Sequence, residues 1–275
     1  MTAALHDVPA TLDDAGVHFG LVELDLLAAH AGAPMPFPLR VPSFGRIPGE
    51  RAVLLDTAGF ALRQRGLADA RGPLGAAAEL VTALREYRGS VDLVAVTPQR
   101  HIGAVALVYR SSALLCEQEL SEDDTATVRV RRVADTALAA GLRRLVPRAA
   151  PARTMPIMLP SRVVDRASRL AAESTGDAEL VAGLRALMRD YGGDPDALDQ
   201  LAVLLSTLTG RGQLGATRRT GETVERAGSE LSWLDGPRGR VRVHRAPDWF
   251  SVNPLRPAGL RFALDDLAMI ARERR

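Results

Sequence analysis

Two blocks of β-type sequence, each made of four short runs and followed by an amphipathic helix, are the strongest constraint on the fold of this chain. The first block lies between residues 91 and 132, and the second between residues 213 and 253. Short apolar or alternating runs joined by tight turns predict an antiparallel meander. Helices are predicted before each block. Those before the second block lie at roughly 161–173, 177–191 and 195–208. We therefore expect an α+β protein in which one order of elements occurs twice.

The repeat is also visible in the residues themselves. Sliding the segment that begins at Thr127 onto the one that begins at Trp249 aligns Val130 with Val252, an offset of 122 residues. At the same offset, three leucine pairs at helical spacing also coincide: Leu138 with Leu260, Leu142 with Leu264, and Leu145 with Leu267. We predict a single domain over residues 1–275, built from two similar halves, at about 17–150 and 151–275. We expect a pseudo-two-fold axis to relate these halves and one core to join them.

The composition is that of an ordinary globular chain and excludes several chemistries. The 275 residues are 47% hydrophobic and carry a formal net charge of +2, which does not mark a strong polyanion binder. All 35 basic residues are arginine, so a P-loop lysine and a Schiff-base lysine are excluded. No apolar run approaches the roughly 18 residues that a membrane span needs, and no signal peptide is evident. These features predict a soluble cytoplasmic protein, with its one cysteine, Cys116, buried as a small apolar residue.

The segment "GRGQLG", Gly210–Gly215, matches the spacing of a dinucleotide-binding glycine motif. That motif must follow a strand and open a helix, because the helix N-terminus binds the phosphates. Here a predicted helix precedes it and β-type sequence follows. We interpret the segment as a structural turn from helix to strand, and we expect no nucleotide to bind there.

No catalytic or metal-binding constellation is evident in the sequence. The five histidines form no H-x-x-x-H or H-x-H pair, and the acidic segment 190–199 fits a helix cap better than a calcium loop. We therefore expect no enzymatic activity, no metal and no cofactor. The run "RGRVRVHR" places Arg240, Arg242 and His244 on one strand face. That face could bind nucleic acid, or it could be an outward face balanced by acids on the neighbouring strand.

Four motifs, in this order, resemble the EspG family of ESX (type VII) secretion-associated proteins. They are "PMPFPLRVPSFGR", "GRGQLGA", "WLDGPRGRV" and "VNPLRPAGLRFALDDL", and the resemblance runs from about residue 17 to 270. It implies a cytosolic chaperone without enzymatic activity that binds PE–PPE heterodimers at the helical tip of the PPE subunit and delivers them to the secretion machinery. The compact length of this chain suggests a client that is PE/PPE-like. The alternative function is a non-enzymatic nucleic-acid-binding module that uses the arginine-rich sheet of the second half.

The second block offers a candidate client-binding surface because its strands are more polar than those of the first. Strand alternation places Leu214 toward the core and Gln213, Thr217 and Arg219 outward. Trp233, on the next run, is either an interface residue or part of the core. We predict partner contacts from Gln213, Thr217, Arg219 and Trp233, and we expect Arg219→Glu to abolish client capture without changing the melting temperature.

Overall fold

The predicted mixture of helices and antiparallel strands is present in the computed structural model of the chain. The structure describes residues 12, 15–121, 126–154, 156–166, 183, 186, 190 and 195–273. Most of the segment before residue 17, and most of the predicted helices at 161–173 and 177–191, therefore lie outside the described residues. The described chain divides into a first unit (Met1–Val146, Leu214–Glu230 and Ala263–Arg275) and a second unit (Pro147–Gln213 and Leu231–Phe262).

The helices and strands keep the predicted order along the chain. They are β1 (Val17–Gly20), α1 (Leu21–Ala31), α2 (Pro48–Gln64), β2 (Ala68–Asp69), β3 (Gly72–Pro73), α3 (Gly75–Glu86), β4 (Gly89–Val96), β5 (His101–Tyr109), β6 (Ser112–Glu119), β7 (Thr127–Ala134), α4 (Leu138–Leu145), β8 (Ile157–Pro160), α5 (Pro195–Ser206), β9 (Gly210–Thr220), β10 (Thr223–Gly236), β11 (Gly239–Arg245), β12 (Trp249–Pro254) and α6 (Pro257–Arg272). Strands β9 and β10 and helix α6 each contribute residues to both units.

Strands β4 and β5 lie in the middle of the sheet of the first unit, whose order is β1-β7-β6-β5-β4-β9-β10. Nearly all their residues are buried, including Val91 on one face and Val105 on the other. These two apolar runs are therefore covered on both faces, as nearly all-apolar strands require. On the face that holds Val105, the core includes Phe19, Leu24 and Leu80 from β1, α1 and α3.

Helix α2 illustrates how local sequence sets the bounds of an element. Pro48 occupies its first position, where the missing backbone N–H costs nothing. Gly66 follows its last turn with a φ of 66°, a left-handed conformation that favours glycine. A proline just inside the start and a glycine just past the end are thus local signals for the bounds of this helix.

Ion pairs fix α2 and the arm before it, residues 33–47, to α1. The Asp25 carboxylate accepts two hydrogen bonds from Arg51, at 2.7 and 3.0 Å, and one from the backbone N–H of Phe44 at 2.9 Å. Glu23 accepts a hydrogen bond from Arg65 at 2.8 Å. Because the carboxylates of Asp25 and Glu23 are about nine-tenths buried, these contacts hold the proline-rich arm in a defined path.

The second unit has the strand order β9-β10-β11-β12-β8 and its own apolar core. Val241 and Val243 of β11 face this core together with Val252 and Ile157, and Leu201 of α5 packs against them. The alternation predicted for "RGRVRVHR" is therefore confirmed on its apolar side.

The last strand of each meander pairs back with a strand that precedes it in its own unit. Strand β7 pairs with β1, with Val130 opposite Val17. Strand β12 pairs with β8, with Val252 opposite Ile157. Val130 and Val252, aligned by the offset of 122, thus hold matching positions and are both fully buried. The registers fit a repeat, while the pseudo-two-fold superposition and the single shared core stay predictions.

Candidate functional site

The segment Gly210–Gly215 is not the predicted turn, because all six residues belong to strand β9. A Cβ atom on Gly212 would lie 2.0 Å from Cζ2 of Trp233. A Cβ atom on Gly215 would lie 2.5 Å from Nη1 of Arg226. Two of the glycines therefore leave room for large side chains from β10, a role of strand glycines that requires no bound phosphate.

A buried acidic side chain lies in the middle of the first unit's sheet, next to Gly215. Asp92 of β4 is 2% exposed, and its Oδ2 accepts a hydrogen bond from Arg226 of β10. Its Oδ1 is buried and has no hydrogen-bond partner within the part of the chain that the structure describes. Burial raises the pKa of the Asp92 carboxyl, and the hydrogen bond from Arg226 opposes that rise. An incompletely satisfied buried carboxylate costs stability, so its presence points to a role beyond folding.

Thr217, one of the predicted partner residues, lies on the same face as Asp92. Its Oγ1 is 2.7 Å from the hydroxyl of Ser90, which sits two residues before Asp92 on β4. Ser90 and Asp92 are buried, whereas Thr217 is partly exposed and the side chain of Arg226 is 43% exposed. We call these four residues together the polar face. Leu214, which the sequence predicted to face the core, and Ala216 lie on the other side of this strand, and both are buried.

Arg219 lies at the end of the same strand but does not simply point into solvent. Its Nη1 donates to the carbonyl oxygen of Arg85 at 2.8 Å, and more weakly to that of Leu84 at 3.4 Å. Its guanidinium carbon is 5.3 Å from the centre of the Tyr87 ring, a cation–π contact. Burial raises the pKa of Tyr87, and the charge of Arg219 partly offsets this. Arg219 therefore stabilises the C-terminal end of α3.

Trp233 is 1% exposed, which decides between the two alternatives in favour of the core. Its ring fills the space beside Gly212 and lies 5.1 Å from the guanidinium carbon of Arg240. A partner cannot reach the Trp233 ring in this conformation. Gln213, the remaining predicted partner residue, is half-buried.

The arginine-rich strand β11 does not offer the cationic surface that a nucleic-acid function would need. Arg240 is 3% exposed and makes two hydrogen bonds to Asp235 of β10, at 2.6 and 2.7 Å. The sequence left two alternatives for this strand face: binding of nucleic acid, or neutralisation by acidic residues on the neighbouring strand. The pair of Arg240 with Asp235 agrees with the second alternative. A buried and neutralised guanidinium contributes little to a polyanion-binding field, so the structure does not support the nucleic-acid function.

Exposed apolar side chains border the polar face. Phe37, in the arm, is 58% exposed, and its ring centre lies 5.5 Å from the guanidinium carbon of Arg226. Val224, two residues before Arg226 on β10, is 44% exposed. An exposed aromatic and an exposed aliphatic side chain around an arginine form the mixture that is typical of protein–protein interfaces.

The model of the EspG family matches residues 21–266. The chain belongs to the EspG family. A search of curated protein sequences gives no match. Among solved structures, the chain is similar to the EspG5 chaperone of the Mycobacterium tuberculosis type VII secretion system, determined in complex with a PE25–PPE41 dimer. The TM-score is 0.64 at 14% identity, over 91% of this chain and 95% of that one, which shows a shared fold.

The match to the EspG family includes all four residues of the polar face. Within the described residues of this EspG-family chain, no group of three or more His, Cys, Asp or Glu side chains could hold a metal ion. No helix in the described ranges is both long enough and apolar enough to cross a membrane. Cys116 is fully buried, as predicted, and burial raises the pKa of its thiol to about 12. Its reactive thiolate form is therefore strongly disfavoured.

Proposed function

We propose that this chain is a chaperone that binds a PE–PPE-like heterodimer and delivers it to a type VII secretion system. Membership in the EspG family over residues 21–266 is the observation that carries this proposal. The fold that the chain shares with EspG5, whose structure contains a PE25–PPE41 dimer, supports it. We further propose that the chaperone acts in the cytoplasm and catalyses no reaction.

We propose that the client contacts the polar face and its apolar border. A helical tip presents a small apolar end surrounded by polar backbone and side-chain groups. Phe37 and Val224 offer the apolar contact, while Thr217 and Arg226 offer a hydroxyl and a cation within the same area. Of the residues predicted from the sequence, Thr217 belongs to this proposed surface. The proposal does not include Gln213, Arg219 or Trp233.

The energetic cost of Asp92 supports the same proposal. Its carboxylate keeps Arg226 in place over Gly215, with the guanidinium also 3.3 Å from Glu230. Arg226 is thereby held in one position while its side chain stays 43% exposed. A pre-positioned arginine loses less conformational entropy when a partner docks, and this increases affinity.

Co-expression with a PE–PPE-like pair encoded near an ESX locus tests the proposal. We expect the pair to become soluble and to elute with this chain as one ternary complex in size-exclusion chromatography. If the pair is equally soluble without the chain and never co-elutes with it, the proposed function is wrong.

A further inference from the structure

Four arginine side chains line a pocket of about 460 Å³ in the first unit, at one end of its sheet. The lining residues are Arg88, Arg110, Arg218, Arg219, Thr220, Gly221 and Glu273. We call this the arginine pocket. One acidic side chain among seven lining residues makes it an unusually cationic cavity for a chain whose formal net charge is only +2.

Two tight turns and two helix ends bring these residues together. Arg110 lies in the turn between β5 and β6 with a φ of 49°, and Gly221 lies in the turn between β9 and β10 with a φ of 60°. Arg219 donates to the carbonyl of Arg85 at the end of α3, and Arg88 donates to the carbonyl of Arg272 at the end of α6, at 3.1 Å. Each bond satisfies a carbonyl group in the last turn of its helix and places a positive charge at the negative end of the helix dipole. An anion in the pocket therefore does not meet two bare helix C-termini.

Three of the four guanidinium groups have a carboxylate partner. The pairs are Arg88 with Asp135 at 3.6 Å, Arg110 with Glu86 at 3.0 Å, and Arg218 with Glu273. Arg219 has none among the described residues: its contacts are the carbonyl groups, including that of Gly221, and the Tyr87 ring. The arginine pocket and the three paired acids thus carry one uncompensated positive charge.

Two guanidinium nitrogen atoms of the arginine pocket donate no hydrogen bond to any described residue. The Nε of Arg218 is buried and has no partner within the described part of the chain. The Nη2 of Arg219 makes no hydrogen bond to any described residue. The Glu273 carboxylate accepts a hydrogen bond from the Nη2 of Arg218. Because the Glu273 side chain is 51% exposed, an incoming anion can replace its carboxylate on Arg218.

We propose that the arginine pocket binds the phosphate group of a small molecule. The planar guanidinium group matches phosphate oxygens with two parallel hydrogen bonds, and Arg–phosphate pairs are among the strongest charge-assisted contacts. A volume of about 460 Å³ exceeds what one phosphate fills and lies within the range of small-molecule sites. The bound phosphate takes the place of the Glu273 carboxylate on Arg218 and supplies the missing negative charge to Arg219. This site is separate from the chaperone role and does not depend on it.

Calorimetric titration of the full chain tests the proposal, with ionic strength held constant by chloride. The probes are inorganic phosphate and ribose 5-phosphate. We expect saturable binding of at least one probe. Tighter binding of ribose 5-phosphate shows that the pocket recognises an organic phosphate, and equal binding shows that it recognises the phosphate group alone. Absence of saturation for both probes up to about 10 mM, a dissociation constant too weak for a specific site, overturns the proposal.

Three variants separate a built site from general attraction to arginine. Arg110→Gln removes a rim guanidinium and is expected to weaken binding about tenfold, or ~1.4 kcal/mol. Arg71→Gln makes the same charge change at a side chain that is 93% exposed and outside the pocket, and it should leave binding within about twofold. Glu273→Gln removes the competing carboxylate and should tighten binding about threefold or more. Equal losses in Arg110→Gln and Arg71→Gln, or weaker binding in Glu273→Gln, contradict the proposal.

Discussion

Trp233 occupies the space directly in front of Gly212, so that a single added Cβ atom would lie 2.0 Å from its ring. The two residues are 21 positions apart and lie on neighbouring strands β9 and β10. The contact explains why a glycine-rich segment that resembles a phosphate-binding motif occurs inside a strand. It also explains why one of only two tryptophans in the chain is buried rather than presented to a partner.

Gly212→Ala is expected to destabilise the protein by about 2 kcal/mol, because the methyl group must displace a fully buried indole ring. Thermal unfolding measures this loss. Gly49→Ala is the matched control: no atom lies within 4 Å of its added Cβ, and the residue lies in helix α2. That variant should be as stable as the wild type or slightly more stable. Similar losses in both variants would show that the indole contact is not the cause.

Asp25→Ala is expected to cost about 3 kcal/mol of unfolding free energy, because it leaves Arg51 and the Phe44 backbone N–H without their acceptor. Asp165→Ala removes an exposed pair with Arg245, in which the two side chains are 40% and 56% exposed, and should cost less than about 1 kcal/mol. Urea denaturation of the two variants gives both values. An equal cost would contradict the view that the Asp25 contacts anchor the arm.

Arg219→Glu is now expected to lower the melting temperature, in contrast to the expectation from strand alternation alone. The substitution removes the donor to the Arg85 carbonyl and places a negative charge at the C-terminal end of α3. The loss of a charged hydrogen bond costs about 2 kcal/mol. A loss of client capture in this variant indicates a lost binding contact only if its circular dichroism spectrum matches that of the wild type. An unchanged melting temperature would show that the contact with α3 contributes nothing.

The buried carboxyl of Asp92 predicts a specific dependence of stability on pH. Burial raises its folded-state pKa above the unfolded value, so the folded protein binds this proton more tightly. Its contribution to stability is full below about pH 4 and is lost as the pH rises through the folded-state pKa. An asparagine side chain does not ionise, so the Asp92→Asn variant does not lose this contribution. The melting temperature of the variant minus that of the wild type should therefore increase as the pH rises from 4 to 7. A relative decrease over that range would show that the ionised pair with Arg226 is net stabilising.

The strands and helices could be predicted from the sequence because their signals are local. The apolar runs from Val91 to Tyr109 and the bounds of α2 at Pro48 and Gly66 each depend on neighbouring residues only. Segment Gly210–Gly215 was the exception. Its glycines have poor strand propensity, so the local sequence does not predict a strand. Gly212 and Gly215 are needed because Trp233 and Arg226 of the next strand pack against them, and these residues lie outside the segment.

The candidate site was predicted only in part. Alternation gave the correct side for Thr217, but not the α3 carbonyl groups that meet Arg219, because those come from a segment about 130 residues earlier. Asp92 was missed, although an acid inside the apolar run "VDLVAV" is a visible signal. A charged residue in a strand that is otherwise buried on both faces indicates a paired charge or a functional site.

The most direct test of the chaperone account is the affinity of the purified chain for a purified PE–PPE-like pair, measured by biolayer interferometry. Phe37→Ala removes the ring at the border of the polar face, and Phe60→Ala removes a ring of equal exposure (57% against 58%) from helix α2. The account predicts wild-type binding, a loss of at least about tenfold in Phe37→Ala, and a change within about twofold in Phe60→Ala. Absence of wild-type binding contradicts the proposed function, and equal affinities in the two variants contradict the proposed surface.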